Sequence, residues 1–427
     1  MNRKTLRAAV MLTALVLLLI ACNAAAPLID TPAMRENAWQ GVAMLSEQYA
    51  VPKMVGGFMS AQLDNFTSVL ILKTAAYTGS ESWLHKAFAG LRVEMPVPEN
   101  ADAQAAWEAF CTYADGSEPG VGIMGYYRYW HGYMLPLRLL LCVLNLANIQ
   151  MLLYFVQTAL FVLVILQMIR RGLGAAVPAF LTACFVMMPF VLGTCLQYMT
   201  ASFPMFLACI ALLFWDQQID GAVGMPAFFA AVGVVTNFLD LLTFPLVTLG
   251  FPLVLLLCLR LKAGDSLVRL LKTFFFCCMG WGLGFGGMWA LKWLIVAVCF
   301  GWHYLGNIFS QVFLRVSAQS NGTSFSRFDA LRINLNILLS KSSYLLILGL
   351  TGIASLLPAA RSLMHKMHVR LDMRALILLL PLAVSLAWYI VMANHSVDHA
   401  YYTYRNLAMG VFAGFACIGC LIRTEEE

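Results

Sequence analysis

Ten apolar stretches alternate with polar loops along the chain, at residues 8–27, 148–169, 175–196, 201–215, 222–238, 244–259, 273–297, 341–360, 375–393 and 405–422. About 20 apolar residues in a helix cross roughly 30 Å of hydrocarbon. The pattern therefore predicts an all-α, polytopic transmembrane bundle of about ten spans, the fourth and fifth being short. Five regions follow: a first span over 1–27, a large loop over 28–147, spans two to seven over 148–297, a second loop over 298–340, and spans eight to ten with a tail over 341–427.

Both loops carry helical patterning of their own. Ala103, Ala106, Trp107, Phe110, Cys111 and Ala114 recur at helical spacing, with Gln104, Glu108 and Thr112 opposite. That stripe predicts an amphipathic helix lying on the membrane or on other helices. Pro96 and Pro98 break the chain just before it, and residues 133–147 predict an interfacial helix leading into the second span. In the second loop Ser317–Ser324 reads as a linker. Phe325, Phe328, Leu331, Leu335 and Leu338 then form another apolar stripe beside Arg327, Arg332 and Asn334. No internal repeat is evident, which weighs against a transporter built from two related halves.

Composition agrees with the pattern. The 427 residues are 61% hydrophobic and 11% charged, against about 45–50% and 25% for soluble domains. Arg3, Lys4, Arg7, Arg170, Arg171, Arg260, Lys262, Arg269, Lys272, Arg361, Lys366, Arg370, Arg374 and Arg423 all fall on one side under a single topology. That side is the cytoplasm by the positive-inside bias, so both tails are expected inside and both long loops outside an inner (plasma) membrane. The net charge of +6 is then topogenic and points to no nucleic-acid partner. The first loop, with eleven of the 21 acids, is acidic. Arg3, Lys4 and Arg7 before a run ending Leu19-Ile20-Ala21-Cys22 resemble a cleaved lipoprotein signal, but nine spans downstream favour a retained anchor. Most of the twelve cysteines lie in apolar runs, and Cys417 and Cys420 form a CxxC without a second pair, so no disulfide framework is expected.

Candidate chemistry gathers on the expected outer side. Asp64 and Asn65 enter an apolar helix: either could be its N-cap, or Asp64 a general base toward a hydroxyl. Asp30, just past the first span, is a second candidate for that base, with a plain solvated reading beside it. Residues 125–138 pack Tyr126, Tyr127, Arg128, Tyr129, Trp130, His131 and Tyr133 together, as an interfacial aromatic belt or a sugar-stacking surface. Asn237, Asp240 and Lys292 sit at outer ends of spans, where ionisable groups are functional candidates, although a lysine there also snorkels. His395 and His399 are spaced to hold a divalent metal on one helix face, but two ligands are too few to assign one. Tyr404 and Arg405 open the last span, where a cation could hold a phosphate. The sequons at Asn65 and Asn321 are read as chance, and no nucleotide-binding motif occurs.

Together the Asp64–Thr67, Arg128–Tyr133, Asn237–Thr243 and His395–Arg405 elements resemble the GT-C class of integral-membrane glycosyltransferases, over most of the chain. The resemblance implies transfer of a sugar from a polyprenyl-phosphate lipid to an envelope glycan or protein, outside the cytoplasm. Asp64 would be the base, Arg405 and Lys292 would bind the lipid phosphate, and Arg128, Tyr129, Trp130 and His131 would shape the sugar site. The chain departs from the class in having Asn65, not a second acid, after Asp64. A lipid or polysaccharide transporter, and an assembly partner with a decayed centre, are the other readings.

Overall fold

A computed structural model describes residues 3–97, 100–113, 121–320, 322–364 and 369–424; Pro98, Ala114, Asn321 and Lys366 lie outside them, as do the side chains of Arg361 and Arg423. The chain is 77% helical. Each of the ten apolar stretches is helical, the third in two pieces. Among the described residues six helices are long and apolar enough to cross a membrane: Arg3–Leu28, Leu146–Arg170, Leu196–Ala222, Leu267–Phe300, Met373–Val391 and Ala400–Leu421. A seventh crossing arises if Arg327–Leu339 and Ser342–Leu357, bent by 82°, act as one. Gly174–Val186 and Met225–Leu239 are shorter apolar helices.

Apolar composition divides these helices into a centre and a rim. In Leu246–Lys262, 15 of the 17 residues are buried, as expected of a helix apolar on every face. Around it Phe180, Phe251 and Phe412 interlock edge to face. Arg3–Leu28 and Leu146–Arg170 instead leave Leu17, Leu18 and Phe155 exposed. Such continuous apolar surface needs a non-aqueous cover. Met225–Leu239 lies directly against Leu267–Phe300 because Gly280 and Gly284 have no side chain: a Cβ there would strike the carbonyls of Pro226 and Ala230. Small residues permit this approach in membrane bundles.

Basic side chains close one end of the bundle. Lys4 and Arg260 both meet Asp220, and Arg171 meets Asp216. Arg269 pairs with Asp265, whose carbonyl accepts from Arg374. There too Val369–Leu371 pairs antiparallel with Ile422–Thr424.

The first loop folds as a helical unit with its own core, including Met34, Val42, Leu72, Trp107 and Phe110. Its helices are Pro32–Ser46, Asn65–Ala76, Trp83–Ala89, Ala103–Cys111 and Met134–Leu141, with a short ribbon pairing Arg92–Glu94 and Gly122–Met124. The expected amphipathic helix is Ala103–Cys111, but Ala103 is exposed and the buried face narrows to Trp107, Phe110 and Cys111. It packs on protein, with Phe110 stacked on Phe66 and the Trp107 indole donating to the Gln48 carbonyl. Of the stripe expected over 325–338, Leu338 is buried and Leu331 and Leu335 pack half-buried against the core, and Phe328 departs from it. Arg327–Leu339 buries Ala330, Asn334, Ile337 and Leu338 and exposes Phe328, because Asn334 turns inward to donate to the carbonyls of Ala330 and Ser396.

Candidate functional site

The opposite end collects the candidate residues. Lys292 lies 23 residues beyond Arg269 on one continuous helix, about 35 Å at 1.5 Å per residue. Asp64 begins Asn65–Ala76: its Oδ1 accepts from the Thr67 backbone N–H at 2.8 Å, so it is an N-cap. Its Oδ2 accepts from the Thr67 hydroxyl at 2.9 Å, the Gln197 amide at 2.7 Å and the Tyr401 hydroxyl at 3.3 Å. The residue is 3% exposed. Burial pushes its carboxyl above the ordinary aspartate range, while the bonds from Thr67, Tyr401 and Gln197 oppose that shift. Cap and candidate base are therefore one carboxylate with two differently placed oxygens. Asn65 turns away, donating to the Gln48 side chain and the Tyr49 carbonyl.

Asp240 stands near the same cluster. The Thr200 hydroxyl donates to the Gln197 carbonyl at 2.5 Å and to Asp240 at 3.3 Å. Asp240 also accepts from the Thr243 backbone N–H at 2.9 Å and from its hydroxyl, holding a turn in which Leu242 has φ +67°. For a residue with a Cβ this left-handed conformation is strained. His395 braces it: its Nε2 lies 2.7 Å from the Leu242 carbonyl and must carry the proton, since a carbonyl only accepts. His399 is 5.0 Å away ring to ring, and its Nε2 accepts from Arg315 at 3.0 Å. Burial, then Arg315, pulls the His399 imidazole down to about 4, so it is neutral and able to accept. Both Nε2 atoms are thus committed to protein partners. Among the described residues no group of three or more His, Cys, Asp or Glu is placed to hold a metal ion.

Other candidates are enclosed. Arg405 is fully buried and donates to the carbonyls of Met187, Tyr401 and Ser60, each at 3.0 Å, with its guanidinium over the Tyr198 ring. Tyr404 donates to the carbonyls of Ser60 and Val186. These residues tie Met59–Ala61 to the bundle directly behind Asp64. Lys292, also fully buried, donates to the Phe88 carbonyl beneath Trp130. The Trp130 indole donates to the Met288 carbonyl, and its ring has no open face. His131 packs on Gly90, whose φ of +57° and missing side chain both serve that contact. Neither ring nitrogen of His131 has a partner among the described residues. Burial, then Lys292 and Arg92, holds this imidazole neutral. Asn237 is buried with its Oδ1 unpartnered. Asp30 is half exposed and paired with Arg35, outside the Asp64 cluster.

Arg128 and Tyr129 instead line a cavity of about 60 Å³ with Arg315, Trp289, Trp293 and Leu242. Gln197, Tyr401 and Arg315 were not among the expected site residues. Tyr401 lies inside the His395–Arg405 element, whereas Gln197 and Arg315 lie in helices without such a signal, and only the fold reveals what each faces. No family model matches the chain, and no curated protein or solved structure is significantly similar to it. The observations define a mostly helical, polytopic membrane bundle with one basic end and one end of convergent polar groups.

Proposed function

We propose that this protein is a membrane glycosyltransferase of the plasma membrane. It crosses the bilayer ten times and carries a sugar from a polyprenyl-phosphate donor to a cell-envelope acceptor on the extracytoplasmic side. The gathering of basic groups at one end supports the topology, through the positive-inside bias. The observation that carries the reaction is Asp64: a buried carboxylate whose Oδ2 meets Tyr401, 337 positions away, through the longest of its four bonds.

An acceptor hydroxyl takes the place of the Tyr401 hydroxyl at Oδ2. Its proton passes to Asp64 as its oxygen bonds to the anomeric carbon, and the bond from that carbon to the phosphate oxygen breaks. The lipid phosphate leaves with the electron pair, and a single displacement inverts the anomeric centre. A general base of this kind contributes roughly 10²–10⁴ in rate. The test is Asp64→Asn in proteoliposomes supplied with polyprenyl-phosphate sugars: loss of transfer at unchanged folding supports the reading, and undiminished transfer removes it. A lipid transporter is the second reading, but it needs charged groups along a path, and Arg405 and Lys292 are closed against backbone carbonyls.

A further inference from the structure

We propose that the cleft between Arg128 and Arg315 is a binding site for the phosphate headgroup of a membrane amphiphile. Two cations face one small apolar cavity, and among the described residues neither has a carboxylate partner. Among the described residues the Arg128 side chain hydrogen-bonds only the Tyr126 hydroxyl, at 3.4 Å; its guanidinium lies over the Tyr126 and Tyr129 rings, and its buried Nε has no acceptor. Arg315 is held by neutral His399. Both side chains border one apolar-lined cavity, where positive charge is poorly screened. One phosphate answers both, since guanidinium forks match its oxygens in pairs.

The surroundings are built to aim these groups. The Arg128 carbonyl accepts from the indoles of both Trp289 and Trp293, at 2.9 and 3.2 Å, which fixes the backbone beneath the side chain. The strained Leu242 turn lines the cavity, braced by Asp240 and His395. Strain of this kind persists where surrounding structure enforces it, commonly at ligand sites. A cavity of about 60 Å³ has room for a few water molecules or one tetrahedral anion.

The position selects a lipid over a soluble anion. Arg315 lies on His303–Val316, a helix with one buried residue, Ile308, with Phe309, Phe313 and Leu314 exposed and the exposed Trp302 at its N-cap. Next to it, Leu294 and Val298 of Leu267–Phe300 are exposed as well. An apolar tail leaving the cleft meets this surface at once. Either a bulk phospholipid or an isoprenoid phosphate offers the required chemistry. Assigning the tail to the sugar carrier rests on the proposed transfer reaction; the phosphate site does not.

The experiment measures lipid binding to the purified full chain in detergent by native mass spectrometry, without acceptor, using farnesyl phosphate, farnesol and phosphatidylglycerol. Wild type should prefer farnesyl phosphate to farnesol at least tenfold. Arg128→Gln/Arg315→Gln should lose roughly tenfold or more toward the phosphate and nothing toward farnesol. Arg315→Gln alone, on a surface helix, gives a folded single variant that should lose part of the same preference. Competition by phosphatidylglycerol at equal strength assigns the site to bulk lipid, and preference for the isoprenoid assigns it to the carrier. Unchanged farnesyl phosphate binding in either variant, or equal wild-type binding of farnesol, overturns the proposal. Asp64→Asn should bind normally, so a protein that binds but never transfers refutes only the reaction, and one that transfers without this binding refutes only the site.

Discussion

Two substitutions at Asp64 separate its structural role from its proposed chemical one. Asp64→Ala removes an N-cap, worth about 1 kcal/mol. It also strips the acceptor from the buried Gln197 amide and Thr67 hydroxyl, each a loss of about 1–3 kcal/mol when left unmade. The sum is roughly 3–7 kcal/mol of destabilisation, readable as a lower melting temperature in detergent. Asp64→Asn keeps a carbonyl oxygen for the Thr67 N–H. Its new N–H₂ faces the hydroxyls of Thr67 and Tyr401, which can accept, and the Gln197 amide can turn its carbonyl inward. Stability should stay within about 1 kcal/mol, while transfer falls roughly 10²–10⁴-fold. Because burial raises the Asp64 carboxyl, the folded protein holds that proton more tightly than the unfolded chain. The group therefore opposes folding increasingly as pH rises through its folded value, and the acidic limb of transfer lies above the ordinary aspartate range. An Asp64→Ala protein as stable as Asp64→Asn would refute the packing argument, and full transfer by Asp64→Asn would refute the base.

Three further outcomes are expected. Arg405→Ala takes a donor from three buried carbonyls, of which Ser60 keeps the Tyr404 hydroxyl, and should destabilise by roughly 2–6 kcal/mol, seen as lost monodisperse yield before any change in donor affinity. Gly284→Ala should lower the unfolding midpoint, since its Cβ meets the Ala230 backbone, a clash of roughly 1–3 kcal/mol. Gly282→Ala, where nothing lies within 4 Å on the same helix, should be neutral or stabilising. Because the folded His399 value of about 4 lies below the ordinary 6.5, stability carried by its neutral form is complete above 6.5 and lost as pH falls from 6.5 toward 4. His399→Gln should flatten part of that slope in melting temperature; an unchanged slope refutes it.

Much of the helical frame was legible because long apolar runs and their breaks are local properties. Asp64 was readable as a cap for the same reason: capping spans three residues. The proximity of Asp64 to Tyr401 was not, since nothing near Leu63–Thr67 encodes a partner 337 positions away. Arg405 and Lys292 read as cations toward the outer ends of spans and Arg128 as one within an aromatic run, and none of these local signals shows what lies over the side chain. Their surroundings differ because backbone carbonyls at Ser60, Met187 and Phe88 happen to close over the first two.

The sequence by itself determined the solvent this chain requires. Hydrophobicity, helix length and the pairing of basic residues with short loops are additive along the chain, and no contact is needed to read them. Tertiary structure alone decided which polar groups keep unmet hydrogen-bonding capacity. That capacity depends on where carbonyls and hydroxyls from remote segments fall within about 3 Å, and small shifts in helix packing redistribute it. Thus the guanidinium of Arg405 is spoken for by the backbone, while those of Arg128 and Arg315 still face a space.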